Sequence, residues 1–299
     1  MSEPELVARC EELKRAKKAV ILGHNYQVDA VQRVSDAVGD SLVLAQLGAA
    51  SDAELIVLCG VHFMAESAKI LNPSKKVILP SLSAGCPMAD MITAEELRAF
   101  KAEHPGAPVI CYVNTSAAVK AESDVCCTSS NAVPVTESLD ADEILFVPDR
   151  NLAAYVASQT GKTIIPWDGY CYVHHMFVPE DVVVATAAHP ESPIVVHPEC
   201  PPDVISMADF VASTEGMVKL AAEHDSLIVG TEIGLIDRLK RDHPGKRFYP
   251  LSAFAVCRDM KMIDLPGVVW ALDNEQHEIA VPDDIRIRAQ SALARMLEC

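Results

Sequence analysis

The chain repeats itself, and that repeat constrains its fold more than any single motif. Apolar segments ending in proline occur as KVILP, KTIIP and KRFYP, with the prolines at 80, 166 and 250. A cysteine follows each one, at 86, 171 and 257, so successive cysteines are 85 and 86 residues apart. Three other features keep the period. A strand pattern ending in polar groups recurs as AVILGHNY, PVICYVNT and PIVVHPE, carrying His24, Asn114 and His197. A second strand recurs as ELIVLCG, EILFVPD and SLIVGTE. Between them, an aspartate precedes a hydroxyl by five residues: Asp36 with Ser41, Asp124 with Ser129, and Asp209 with Thr214. Agreement of these features at one period marks an internal triplication.

Short β-rich runs alternating with helical patterns make each unit an αβα layer around parallel strands. The expected fold is therefore α/β: three homologous αβα sandwich domains with short parallel sheets, closed with pseudo-threefold symmetry around a central cavity. The expected boundaries are 1–104, 105–190 and 191–270, with 271–299 completing the first unit. Residues 2–13 predict an amphipathic helix, with Ser2 and Glu5 as a capping box and Leu6, Val7, Cys10 and Leu13 on one face. Functional groups of open α/β sheets gather at the carboxyl ends of strands. Closure would thus bring His24, Tyr112, Asn114, His197, Glu199 and the three cysteines into one site.

Half of the 299 residues are hydrophobic, enough for a large core. A net charge of −17 argues against nucleic acid and against an anionic membrane surface as partners. An anionic substrate must then be held by local donors. There is no apolar run of about 18 residues, and charges interrupt the opening residues throughout, so the expected compartment is the cytosol. Ten cysteines in that setting are expected to be reduced, and clustered ones to bind metal or react.

The repeat singles out Cys86, Cys171 and Cys257. Cys126–Cys127 correspond to Val38–Gly39 and Val211–Ala212 in the other copies, which predicts packing. Cys59 and Cys111 lie in apolar runs, Cys200 could line the cavity, and Cys10 and Cys299 belong to terminal helices. Three thiolates suit either a zinc ion with His174 as fourth ligand or a [4Fe–4S] cluster with one open iron. Single cysteines on distant loops favour the cluster, whose open iron is a Lewis acid suited to elimination. Ser41, Ser129 and Thr214 precede helical patterns. One such hydroxyl would be a simple cap, but three around one cavity imply three anionic groups on the ligand.

The ordered motifs GHNYQ (23–27), SDAVGDSLVLA (35–45), GVHFMAESAKIL (60–71), AGCPMADM (84–91), YVNTSAAVKA (112–121) and CTSSNA (127–132) run through the first half. WDGYCYVH (167–174), HPECP (197–201), STEGM (213–217) and CRDMKMIDL (257–265) continue them. With these motifs, nearly end to end, the chain resembles the quinolinate synthases, the A proteins of NAD biosynthesis. The resemblance implies three αβα domains with a [4Fe–4S] cluster on Cys86, Cys171 and Cys257. It implies condensation of iminoaspartate with dihydroxyacetone phosphate to quinolinate, phosphate and water. An aspartate-oxidising enzyme would supply the unstable imine.

Carried onto matching positions, Glu199 becomes the principal base, with Tyr26, His197 and His24 as catalytic partners. Ser41, Tyr112, Asn114, Ser129, His174, Ser213 and Thr214 become substrate-binding residues beside them. Two departures stand out. Cys257 is followed by Arg, Asp and Met rather than by the C-x2-C-x2-C run of longer members, and the second histidine of CYVHH, His175, has no assigned role. Lys261 is left unassigned. Rival readings are another iron–sulfur enzyme acting on a hydroxy acid, an electron-transfer protein, and a zinc-stabilised binding module.

Overall fold

A computed structural model describes residues 1–298; Cys299, expected in the terminal helix, lies outside them. Each repeat folds into one four-stranded parallel sheet. The first contains β1 (Ala19–His24), β2 (Ala37–Gly39), β3 (Leu55–Cys59) and β4 (Lys76–Ile78). The second contains β5 (Val109–Tyr112), β6 (Val125–Cys127), β7 (Glu143–Val147) and β8 (Thr163–Pro166). The third contains β9 (Ile194–Val196), β10 (Phe210–Val211), β11 (Ser226–Gly230) and β12 (Arg247–Pro250). Strand order is the same in all three: β2-β1-β3-β4, β6-β5-β7-β8 and β10-β9-β11-β12. The protein is thus α/β, built of three αβα units.

The local sequence explains this topology. The central strands are nearly continuous in aliphatic residues and buried along almost their whole length, because helices cover both faces of a parallel sheet. The three repeating prolines end, or closely follow, edge strands, where a missing N–H costs no ladder bond. The repeated aspartate is a latch. Asp36 Oδ2 accepts from the Ile21 N–H, Asp124 Oδ2 from Val109 and Asp209 Oδ2 from Ile194, each at 2.8 Å. Its own N–H returns to the carbonyl of the same residue. In every copy this pair of bonds pins the outer strand against the start of the central one.

The helix Glu3–Ala16 starts at Ser2, whose N–H donates to the Glu5 carboxylate at 2.7 Å, and it buries Cys10 and Leu13 as its pattern predicts. It packs on the helix Leu265–Asn274. The last helix, Asp283–Glu298, covers the edge strand β6 and the helices His62–Leu71 and Ala117–Lys120. One continuous core runs through the first two repeats, whereas the third has a separate core on each face of its sheet. Cys59, Cys111, Cys126 and Cys127 are fully buried strand residues, as expected. Among the described residues no helix is long and apolar enough to cross a membrane.

Candidate active site

The carboxyl ends of the three sheets face one cleft, lined by side chains from all three repeats. Thirteen of the fourteen sequence-predicted site residues line it: His24, Tyr26, Ser41, Cys86, Tyr112, Asn114, Ser129, Cys171, His174, His197, Glu199, Thr214 and Cys257. Ser213 lies just outside, in a neighbouring cleft. Cys200 is not in the lining. It is buried against the third sheet, with its thiol toward the Gly230 carbonyl, which corrects the expectation that it could face the cavity.

The three cysteines occupy the same backbone device. In each copy the residue two before the cysteine accepts a backbone hydrogen bond from the segment leaving the inner strand. These bonds are His62 N–H to Ala84 O at 2.8 Å, Arg150 to Gly169 at 2.8 Å and Ile233 to Ala255 at 3.0 Å. Each sulfur then accepts the backbone N–H three residues on, from Ala89, His174 and Met260. The cysteine thereby caps a single helical turn, an environment that favours thiolate. Burial works against it. Burial pushes the Cys86 thiol up to about 12 and raises Cys171 and Cys257 as well. A metal able to displace these protons would find the sulfurs already positioned. Gly169 is needed for the second turn, since a Cβ there would lie 2.5 Å from the Pro148 carbonyl oxygen.

Two buried carboxylates reinforce the turns. Asp149 Oδ2 accepts from the Cys171 N–H at 3.1 Å, while its Oδ1 accepts from Asn151 and Leu152 at 2.8 Å. Glu232 Oε1 accepts from the Cys257 N–H at 3.1 Å and its Oε2 from Gly234 at 2.7 Å. Lys261 Nζ sits 2.9 Å from Glu232 Oε1, which gives this residue a structural role. The sequence carried both acids in plain view, at the ends of EILFVPD and SLIVGTE.

Beside the Cys171 sulfur stands a polar wall centred on Glu199, which is almost wholly buried. Tyr112 Oη donates to its Oε1 at 2.5 Å, and His174 Nδ1 lies 2.6 Å from its Oε2. Burial alone would raise this carboxyl. The His174 imidazole, and the hydrogen bonds from His174 and Tyr112, hold it well below the usual carboxylate range. It is therefore ionised at neutral pH. Burial carries the imidazoles of His24 and His197 down to about 3, so both are neutral. His174 Nε2 faces the Thr231 hydroxyl at 2.8 Å, and Thr231 meets Tyr26 Oη at 2.6 Å. Glu199, His174, Thr231 and Tyr26 thus form one hydrogen-bonded chain, of which sequence reasoning missed Thr231. Cys171, His174 and Glu199 each present a ligand atom within 4.8 Å of the others and could hold a metal ion.

The three hydroxyls are not caps, contrary to the simplest expectation. Asp40 and Ser213 cap the helices Ser41–Ala50 and Thr214–Glu223, accepting from Val43 and Gly216 respectively. Ser41 and Thr214 are the first helical residues, and Ser129 precedes the helix Ala132–Ser138 by three. Their hydroxyls are left for the cleft. Ser129 Oγ lies 3.2 Å from His197 Nε2, whose other ring nitrogen accepts from the Glu199 N–H. His175 points away, between Arg150, Asn151 and Tyr170. Asn151 also donates to the Glu199 carbonyl at 3.0 Å, so His175 buttresses the segment carrying the buried acid.

A family profile described as Quinolinate synthetase A protein matches residues 8–298. The chain is 52% identical to quinolinate synthase 1 of Methanosarcina acetivorans, over 99% of this chain and 98% of that one. It is 54% identical to a quinolinate synthase of Dehalococcoides mccartyi strain CBDB1, over 98% of each. With that of Alkaliphilus metalliredigens it shares 50%, over 100% of this chain and 99% of the other. A cleft built by three copies of one unit, and relatives matching along its whole length, make this enzyme a member of the quinolinate synthase family.

Proposed function

We propose that the enzyme condenses iminoaspartate with dihydroxyacetone phosphate, releasing quinolinate, phosphate and water, as a cytosolic step of NAD biosynthesis. In this reading the repeats stand about a pseudo-threefold axis, and Cys86, Cys171 and Cys257 hold a [4Fe–4S] cluster. The donor set fits that group: three sulfurs, one per repeat, each in the same N–H-donating turn, with no fourth cysteine among the described residues of the lining. When bound, the cluster would supply Lewis acidity at an iron that no cysteine holds. The single observation that carries the reading is that these three equivalent turns open into the cleft containing ionised Glu199.

The chain's own residues divide the remaining work. Isomerisation, imine formation and dehydration all need proton transfers. Glu199 takes protons as the general base, and the contact through His174 and Thr231 to Tyr26 joins it to a second proton-bearing group of the same cleft. Neutral His24 lines the cleft beside the substrate, and neutral His197 orients Ser129 without neutralising the carboxylate. Tyr112 stays protonated because burial and Glu199 raise its phenol, so it donates rather than ionises. Ser41, Asn114, Ser129 and Thr214 donate to two carboxylates and a phosphate, which supplies locally what a net charge of −17 withholds globally. Ser213 supports this set by capping the helix that begins at Thr214. The instability of the imine calls for an aspartate-oxidising enzyme working nearby.

The test joins Mössbauer spectroscopy of anaerobically purified, isotopically iron-enriched protein to an assay with imine generated in situ. A four-iron cluster with one iron perturbed by quinolinate, together with quinolinate formation, is the expected result. Glu199→Gln should then lower kcat by about two to four orders of magnitude while leaving the iron in place. Protein that carries no iron, or that carries it and forms no quinolinate, would overturn the proposal.

A further inference from the structure

Asn25 follows β1 directly and has no exposed surface. Its backbone is fixed on both sides, by its N–H donating to the Gly39 carbonyl at 3.1 Å and its carbonyl accepting from Gln32 Nε2 at 3.1 Å. Its side chain bridges to the third repeat. The amide oxygen accepts from Arg238 Nη1. A guanidinium has donors only, so this contact settles which end of the amide faces Arg238. The amide nitrogen is thereby aimed at Thr214 Oγ1, 2.9 Å away, with Glu215 Oε1 at 3.3 Å. Arg238 closes the ring by donating to Glu215 Oε1 at 2.8 Å.

The consequence lies at Thr214, whose hydroxyl is buried at the edge of the cleft. A hydroxyl has one proton and two acceptor sites. With an acceptor site of Thr214 taken by Asn25, its proton remains to be donated into the cleft. We infer that Asn25 is a positioning residue that commits the Thr214 hydroxyl to donating to an anionic oxygen of the substrate, a carboxylate or phosphate. The inference rests on the function proposed above. Nothing in the GHNYQ motif alone reveals it, because the partners lie 189 and 213 residues further along the chain.

Calorimetric titration of the anaerobic holoenzyme with quinolinate tests it. Asn25→Ala is expected to weaken binding by about tenfold, the worth of one hydrogen bond to a charged group, and to raise KM more than it lowers kcat. Thr214→Val should cost about as much, and the double variant should be no weaker than the worse single one. Arg238→Met, which leaves Asn25 in place but frees its amide to turn, should weaken binding in the same direction by less. Multiplying effects of Asn25→Ala and Thr214→Val would overturn the inference. So would a wild-type affinity that Asn25→Ala and Arg238→Met both preserve. Wild-type holoenzyme that binds no quinolinate would instead overturn the proposed function, and this inference with it.

Discussion

The cysteine turn of the first repeat differs instructively from those of the second and third. All three share the backbone bond two residues before the cysteine and the N–H three residues after it. Only two carry a buried carboxylate on the cysteine N–H. Where the second and third repeats have Asp149 and Glu232, the first has Val61, buried and lining the cleft. Phe63, Met64 and Met88 extend that apolar side, whereas the side chains bonded directly to the Glu199 carboxylate, Tyr112 and His174, come from the second repeat. Backbone bonding therefore reproduces the turn, and side chains at one equivalent position decide whether the adjoining wall is dry or polar.

Substitutions in the two reinforced turns probe how far the carboxylates matter. Asp149→Ala should have the largest effect on stability, about 3–5 kcal/mol, because it leaves two buried and one part-buried N–H groups unpaired and removes a helix cap. Anaerobic urea unfolding would measure it; a loss below 1 kcal/mol would mean that the backbone alone holds the second turn. Glu232→Ala should cost about 2–3 kcal/mol, since two N–H groups lose their acceptor but Lys261 is partly exposed and can be rehydrated. A cost equal to that of Asp149→Ala would break the distinction between the two turns.

The smallest effect belongs to a carboxylate outside these walls. Glu275 accepts from Lys17 at 2.8 Å and from Lys76 at 2.7 Å, and these bonds hold its carboxyl down at about 2. Because the folded value lies below the unfolded one of about 4.3, its contribution is complete above the unfolded value. It is lost as pH falls from there toward 2. More than a third of the side chain is exposed, so Glu275→Gln should cost under about 1 kcal/mol at neutral pH. The wild-type and variant stability curves should converge near pH 2, and curves that stay parallel would show that the ion pairs contribute nothing.

The sequence made the repeat legible because strand endings, prolines, aspartates and cysteines all keep one period. It made most of the cleft legible because those residues sit at strand ends, where a parallel fold collects function. The misreadings share a cause. Asp36 and its counterparts drew notice as part of the repeat, but their backbone partners lie fifteen residues upstream on another strand. The caps beside Ser41 and Thr214 went unread, because they fall one residue earlier, on Asp40 and Ser213, a shift that spacing cannot resolve. Thr231 and Asn25 stayed invisible, and Asp149 was visible without its role, because each acts on a group brought close only by tertiary packing.

The last helix covers β6, an edge strand that ends at Cys127, although it begins only at Asp283. A ribosome adding about 5–20 residues per second therefore leaves that edge bare for roughly ten to thirty seconds. Unpaired edges invite association between chains. This one is only three residues long, and two of those are cysteines. The cover for a strand carrying two thiols is thus among the last parts of the chain to be made.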